Sequence, residues 1–201
     1  MSQADINAIE LTPKGVMTSV ARGIPVNARN RWGETALHRT VHWKLRRELA
    51  VALLAVGADA NAKNSIGESS VWQAAISSIA DIVQLLIHGG GSVNEPDEYG
   101  NTPLIALARN SFGNAAARLQ VLLRCPELDL NTKYDGKTAE EWAVRRGHPE
   151  LAAAIAEERR KRVRWSTVRC TWASAIARSL MDVYVLVGDA ANRSIDVSSF
   201  P

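Results

Sequence analysis

The sequence predicts an all-α repeat protein, a stack of short helical units recurring every 33–36 residues. Three observations carry this. Gly33, Gly67, Gly100 and Gly136 each follow a short polar segment and are spaced by 34, 33 and 36 residues. An apolar-Asn pair precedes each of them by 6, 6, 6 and 5 residues: Val26-Asn27, Ala60-Asn61, Val93-Asn94 and Leu130-Asn131. Between successive units lie segments with a helical apolar pattern. Self-similarity at such a period marks stacked arrays, because one unit cannot bury its apolar face alone.

The elements follow in chain order. Val16 to Asn27 aligns on Val83 to Asn94, so a degenerate unit opens the array over about residues 1–29, its first helix near residues 4–11 being poorly matched. Three units then span about 30–63, 64–96 and 97–133, and a capping unit spans about 134–158. Thr35, Ser69, Thr102 and Thr138 each follow a Gly-x pair and precede a helical pattern, which suits an N-cap or first-turn hydroxyl. Pro103 sits where a first-turn proline is tolerated. Second helices are read from Leu49, Val51, Leu53 and Leu54, from Ile82, Val83, Leu85, Leu86 and Ile87, and from Leu119, Val121, Leu122 and Leu123. Gly57, Gly89 and Gly90 fall where those helices should end in a left-handed residue. Ala74, Ala75, Ala106, Ala108 and Ala143 lie on first helices, where neighbours must approach closely.

The strings that recur in phase are Gly33-Glu34-Thr35-Ala36-Leu37-His38, Gly67-Glu68-Ser69-Ser70-Val71-Trp72, Gly100-Asn101-Thr102-Pro103-Leu104-Ile105 and Gly136-Lys137-Thr138-Ala139-Glu140-Glu141. With them go Gly57-Ala58-Asp59-Ala60-Asn61 and Gly90-Gly91-Ser92-Val93-Asn94. Together they strongly resemble the ankyrin repeat, with its T-P-L-H and G-A-D-x-N signatures, over roughly residues 16–158. The resemblance implies an ankyrin-repeat solenoid of about 4–5 repeats, each a β-turn finger and two antiparallel helices. It also implies that His38 hydrogen-bonds the neighbouring turn. Three departures stand out. The second repeat has Ser69-Ser70-Val71-Trp72 for T-P-L-H, the third has Ile105 at the His position, and Gly100 to Asn131 spans 31 residues against 28 and 27 before it. The extra residues fall in Asn110-Ser111-Phe112-Gly113-Asn114-Ala115, a polar loop of the kind that often carries function.

Charge divides the chain. Its 201 residues carry a net +3 and a pI near 9.1, but residues 1–158 hold 16 Lys/Arg against 18 Asp/Glu, and residues 159–201 hold 8 against 3. A near-neutral array thus carries a basic segment and a C-terminal appendage that does not fit the repeat. Cys125 and Cys170 form no CxxC, so neither a disulfide framework nor a cysteine zinc site is expected. The N-terminus shows no secretory pattern. The longest apolar run, Leu49 to Ala58, is ten residues and too short for a membrane helix. A cytoplasmic protein without a membrane span is therefore expected.

Catalytic signatures are missing from the sequence: no G-x-S-x-G, GxxxxGK[ST], GxGxxG or HExxH occurs. His38 and His42, four apart, have no accompanying carboxylate, and His38 already has a signature role. Neither an enzyme, nor a cofactor, nor a metal site is expected.

What remains is a surface. The resemblance implies that turn tips and the outward side of the first helices form a concave face for protein recognition. The residue before each turn glycine should sit at a fingertip: Trp32, Ile66, Tyr99 and Asp135, with Tyr134 adjacent. On the first helices the outward positions are read as Arg39, His42 and Trp43, then Gln73, Ile76 and Ser77, then Arg109 and Asn110. Trp and Tyr are favoured interface anchors, so Trp32, Trp43, Tyr99 and Tyr134 are expected to anchor a partner protein, and Arg39 and Arg109 to pair its carboxylates. Inhibitor, adaptor and bacterial effector or immunity-type roles are all compatible with this reading. A rival surface is the basic segment Arg159, Arg160, Lys161, Arg162, Arg164 and Arg169, with Trp165 among them, which suits nucleic acid or an acidic surface.

Overall fold

The structure, a computed structural model, describes residues 12–41, 46–77, 80–110 and 113–164, without the side chain of Arg46. Contacts divide the chain into two units, residues 1–156 and 157–201.

The first unit is built from helices α1 (Pro13–Ala21), α2 (Ala36–Thr40), α3 (Arg46–Ala55), α4 (Ser70–Ser77), α5 (Ala80–His88), α6 (Pro103–Arg109), α7 (Ala115–Leu123) and α8 (Ala139–Arg145). Residues 149–156 are helical as well. The helices form two rows. One row runs α2, α4, α6, α8 and the other α1, α3, α5, α7, each helix touching the next in its row. The pairs α2·α3, α4·α5 and α6·α7 close the individual repeats. This is the all-α solenoid that the periodicity predicts. The N-terminal stretch near residues 4–11 lies outside the described residues.

Local chemistry starts α4, α6 and α8 where the sequence puts them. Thr102 and Thr138 are N-caps in extended conformation, their hydroxyls accepting from the N–H of Ile105 and Glu141. Ser69 Oγ accepts from the N–H of Trp72 at 3.2 Å. These bonds satisfy N–H groups that have no intrahelical partner. Of the three glycines expected beyond the second helices, Gly57 and Gly90 take the left-handed conformation and Gly89 does not.

The core lies between the two rows. Leu37, Leu49, Leu53, Ile82, Leu86, Leu104, Leu107, Leu119 and Leu122 are fully buried, each burial stabilising the fold by about 1.5–3 kcal/mol. Ala74, Ala75, Ala106, Ala108 and Ala143 are buried where the helices of one row meet. Larger side chains there would hold the repeats apart.

Side-chain amides tie the repeats together. Asn61 accepts from the N–H of Ser92 at 2.7 Å and donates to the carbonyl of Gly90 at 2.8 Å. Asn94 does the same one repeat later, with the N–H of Asp129 at 2.8 Å and the carbonyl of Glu127 at 2.7 Å. Asn27 accepts from the N–H of Asp59 at 2.9 Å. The recurring Asn is therefore an inter-repeat clamp, each one satisfying backbone groups of the turn that follows.

Candidate functional site

Three fingers share one construction. The side-chain oxygen of Asn30 accepts the N–H groups of Trp32 and Glu34, both at 2.9 Å. Asn64 accepts those of Ile66 and Glu68 at 3.1 and 2.9 Å. Asp97 accepts those of Tyr99 and Asn101 at 3.0 and 2.8 Å. In each finger one polar side chain gathers the turn around itself. Successive fingers are then joined through the backbone: Ser65 N–H donates to the carbonyl of Trp32 at 2.9 Å, and Glu98 N–H to that of Ile66 at 3.1 Å. Approach is so close that only glycine fits at the turn. A Cβ on Gly33 would lie 2.7 Å from Ser65 N, and one on Gly67 2.5 Å from Glu98 N.

These fingers present Trp32, Ile66 and Tyr99 to solvent, exposed by 54, 42 and 65%. The Arg31 guanidinium lies 4.0 Å from the centre of the Trp32 ring. A hydrogen bond to Glu98, and that carboxylate's charge, push the Tyr99 phenol above its usual ionisation. Asp135 is also exposed.

Behind the tips, His38 is buried with its Nε2 3.0 Å from the carbonyl of Glu68. Its Nδ1 lies 3.2 Å from the N–H of Thr35. The ring therefore accepts at Nδ1 and donates at Nε2, reaching the next finger. Burial pushes its pKa below 6.5, although the Glu68 carbonyl opposes that.

A pocket of about 420 Å³ opens between the first two fingers, walled by Trp32 and Ile66, with Glu34 and Glu68 beside it. Gln73, expected on the outward side, is instead only 7% exposed. Its Nε2 donates to Glu68 at 3.0 Å, while its Oε1 is buried without a donor. The outward reading of Gln73 fails because the amide is drawn down onto the finger carboxylate. Ile76 is half-buried and Ser77 exposed.

The fourth finger differs. Tyr134 and Lys137 exchange both backbone hydrogen bonds, at 2.9 and 3.0 Å, around a two-residue Asp135-Gly136 turn. Both turn residues have positive φ, the geometry that Asp-Gly favours in a tight hairpin. Tyr134, expected as an exposed anchor, is half-buried, its ring centre 6.1 Å from that of Trp142. Arg109 is expected from the sequence to meet a partner's carboxylate. It is half-buried, hydrogen-bonded to Asn101, and stacked 4.5 Å from the Tyr134 ring and 4.8 Å from the Trp142 ring. Its charge is engaged within the fold.

Other expected residues are placed as follows. Arg39 and Asn110 are half-buried, and Asn110 caps the end of α6. His42, Trp43 and two residues of the 110–115 loop, Ser111 and Phe112, lie outside the described residues. In the second unit, residues 157–164 are helical. Three of the basic residues there pair within the helix: Arg160 and Lys161 with Glu157 at 3.5 and 3.9 Å, and Arg162 with Glu158 at 3.0 Å. Arg159 is half-buried and Arg164 exposed, and Arg169 lies outside the described residues. Among the described residues no His, Cys, Asp or Glu cluster could hold a metal, and no helix is long and apolar enough to cross a membrane.

Sequence reasoning missed Asn30, Asn64 and Asp97, which organise the fingers, and Glu34 and Glu68, which line the pocket. A signal existed: an Asn or Asp stands three residues before each of the first three turn glycines.

The family model for ankyrin repeats, in three copies, matches residues 71–164. This chain is an ankyrin-repeat protein. Similar proteins include the bovine (Bos taurus) SMC5-SMC6 complex localization factor protein 1, 34% identical over 93 residues, 46% of this chain and 9% of that protein. The human (Homo sapiens) transient receptor potential cation channel subfamily A member 1 is 32% identical over 126 residues, 62% of the chain and 11% of the channel. Human neurogenic locus notch homolog protein 2 is 32% identical over 149 residues, 72% of the chain and 6% of its own length. The ankyrin chain thus spans no more than about a ninth of these relatives, whose likeness is that of their repeats. Ankyrin repeats generally mediate protein–protein interaction.

Proposed function

We propose that the array is a non-catalytic binding module that holds a partner protein against its concave face through Trp32, Ile66 and Tyr99, in an adaptor or inhibitor role. One observation carries the reading: three successive fingertips bear large exposed apolar side chains on turns already locked by hydrogen bonds. Rigid tips lose little conformational entropy on binding, and exposed aromatics gain by being covered. The half-buried Arg39 and Ile76 stand behind them as secondary contacts.

The test uses a Trp32→Ala/Tyr99→Ala double variant. A protein retained from lysate by the wild-type array and lost from a double variant that melts at the same temperature supports the reading. Retention with unchanged affinity removes it.

A further inference from the structure

The pocket between the first two fingers has a chemistry that ordinary packing does not explain. Glu34 Oε2 accepts from Asn30 Nδ2 at 2.8 Å. Glu68 Oε2 accepts from Asn64 Nδ2 at 2.9 Å and from Gln73 Nε2 at 3.0 Å. These bonds orient both carboxylates, yet no donor among the described residues reaches the second oxygen of either. Nor does a lysine or arginine pair with them there. Arg29, close by in sequence, donates to the carbonyls of Gly33 and Lys63 instead. Gln73, more than nine-tenths buried in the pocket lining, holds Glu68 from below through its Nε2 and fixes that carboxylate in place.

We infer that this pocket, bounded by Trp32, Ile66, Glu34, Glu68 and Gln73, receives an arginine side chain from the partner protein. It is concave, aromatic on one wall and doubly acidic. A planar guanidinium matches all three properties. It stacks on an indole and pairs with carboxylates through parallel N–H bonds. Arg31 already stacks on the same indole, so the ring accepts a guanidinium. Ile66 covers the aliphatic stem. A lysine supplies charge without the plane and should bind less well. The inference rests on the protein-binding reading and names what the partner must present: an arginine on a segment that lies across the first two fingers.

The test titrates the full chain with acetyl-Gly-Arg-Gly-amide and with the same peptide carrying lysine or citrulline, to saturation or the solubility limit. It follows the Trp32 indole N–H and the Gln73 side-chain amide by NMR. The arginine peptide is expected to shift both signals saturably, lysine more weakly, and citrulline, the uncharged isostere, not at all. Glu68→Gln is expected to weaken the arginine peptide about tenfold. Should Glu68→Gln melt early, Trp32→Leu, at an exposed position and followed at the Gln73 amide alone, is expected to weaken the arginine peptide in its place. Equal response to arginine and citrulline, shifts scattered away from the pocket, or no shift overturns the inference. A null result here, with partner capture still lost in Trp32→Ala/Tyr99→Ala, removes the arginine pocket and leaves the binding module standing. Partner capture that survives the double variant removes the module instead.

Discussion

Trp72 Nε1 donates to the carbonyl of Asn101 at 2.8 Å, repeating one unit later the bond that His38 Nε2 makes to the carbonyl of Glu68 at 3.0 Å. The departure from T-P-L-H in the second repeat therefore keeps the function of the histidine. An indole N–H replaces an imidazole N–H, and it cannot titrate. The third repeat has Ile105 at this place, buried and without a donor to offer.

Trp72→Phe keeps most of the apolar burial and removes the donor. The Asn101 carbonyl retains the N–H of Asp97 at 3.0 Å, so the loss is that of one net hydrogen bond, about 1 kcal/mol. Trp72→Ala also opens a cavity and should cost about 3–5 kcal/mol. Urea unfolding of the two variants checks this; equal costs would mean that packing counts for nothing at the site.

Gly67→Ala and Gly100→Ala should differ. Both glycines have positive φ, at 78° and 88°, which costs an alanine about 1–2 kcal/mol. At Gly67 the new Cβ also meets the backbone of the next finger, whereas at Gly100 it meets nothing within 4 Å. An additional penalty of about 1–3 kcal/mol is expected for Gly67→Ala alone. Thermal melts of the pair read the difference directly.

Asn94→Ala removes two inter-repeat bonds and should destabilise by about 1–2 kcal/mol. Asn131 ends the series, and its side chain bonds no later turn among the described residues. Asn131→Ala should stay within about 0.5 kcal/mol of the parent in the same denaturation experiment.

His38 makes stability depend on pH. Its folded pKa lies below the unfolded value of 6.5 because burial disfavours the charged ring. Below pH 6.5 the unfolded chain takes up a proton that the folded chain refuses. Unfolding free energy is therefore fully present above 6.5 and falls as pH drops toward the folded pKa, by up to about 1.4 kcal/mol per unit. Asp129, also lowered, begins to lose its contribution only below 3.8, whereas the His38 effect begins at 6.5. An NMR titration midpoint for His38 above 6.5 would contradict this assignment.

The architecture was legible because each repeat states the same local rules. Hydroxyl caps, alanines at close approaches and the recurring Asn are signals repeated at one period, and Asn131 is the one Asn of the series whose side chain reaches no later turn among the described residues. The site was legible only in part. Trp32, Ile66 and Tyr99 stand at tips because the turn fixes them one residue before glycine. Gln73, Tyr134 and Arg109 were misplaced, since their positions depend on neighbours outside their own helix: a carboxylate of the finger five residues back, Trp142, and the rings of the following repeat. Helical phase alone treats a polar side chain on an outward position as free, and cannot see the partner that captures it.

The change of finger after Tyr99 leaves a seam. The first three tips form one backbone-linked ribbon, but among the described residues no N–H of the fourth finger reaches the Tyr99 carbonyl, and Gly100 has open space before it. A seam of this kind is a natural splice point. Another unit of the first type could be inserted after residue 101 without breaking a fingertip bond, lengthening the ribbon while the Asp135-Gly136 hairpin and its aromatic cluster continue to close the end.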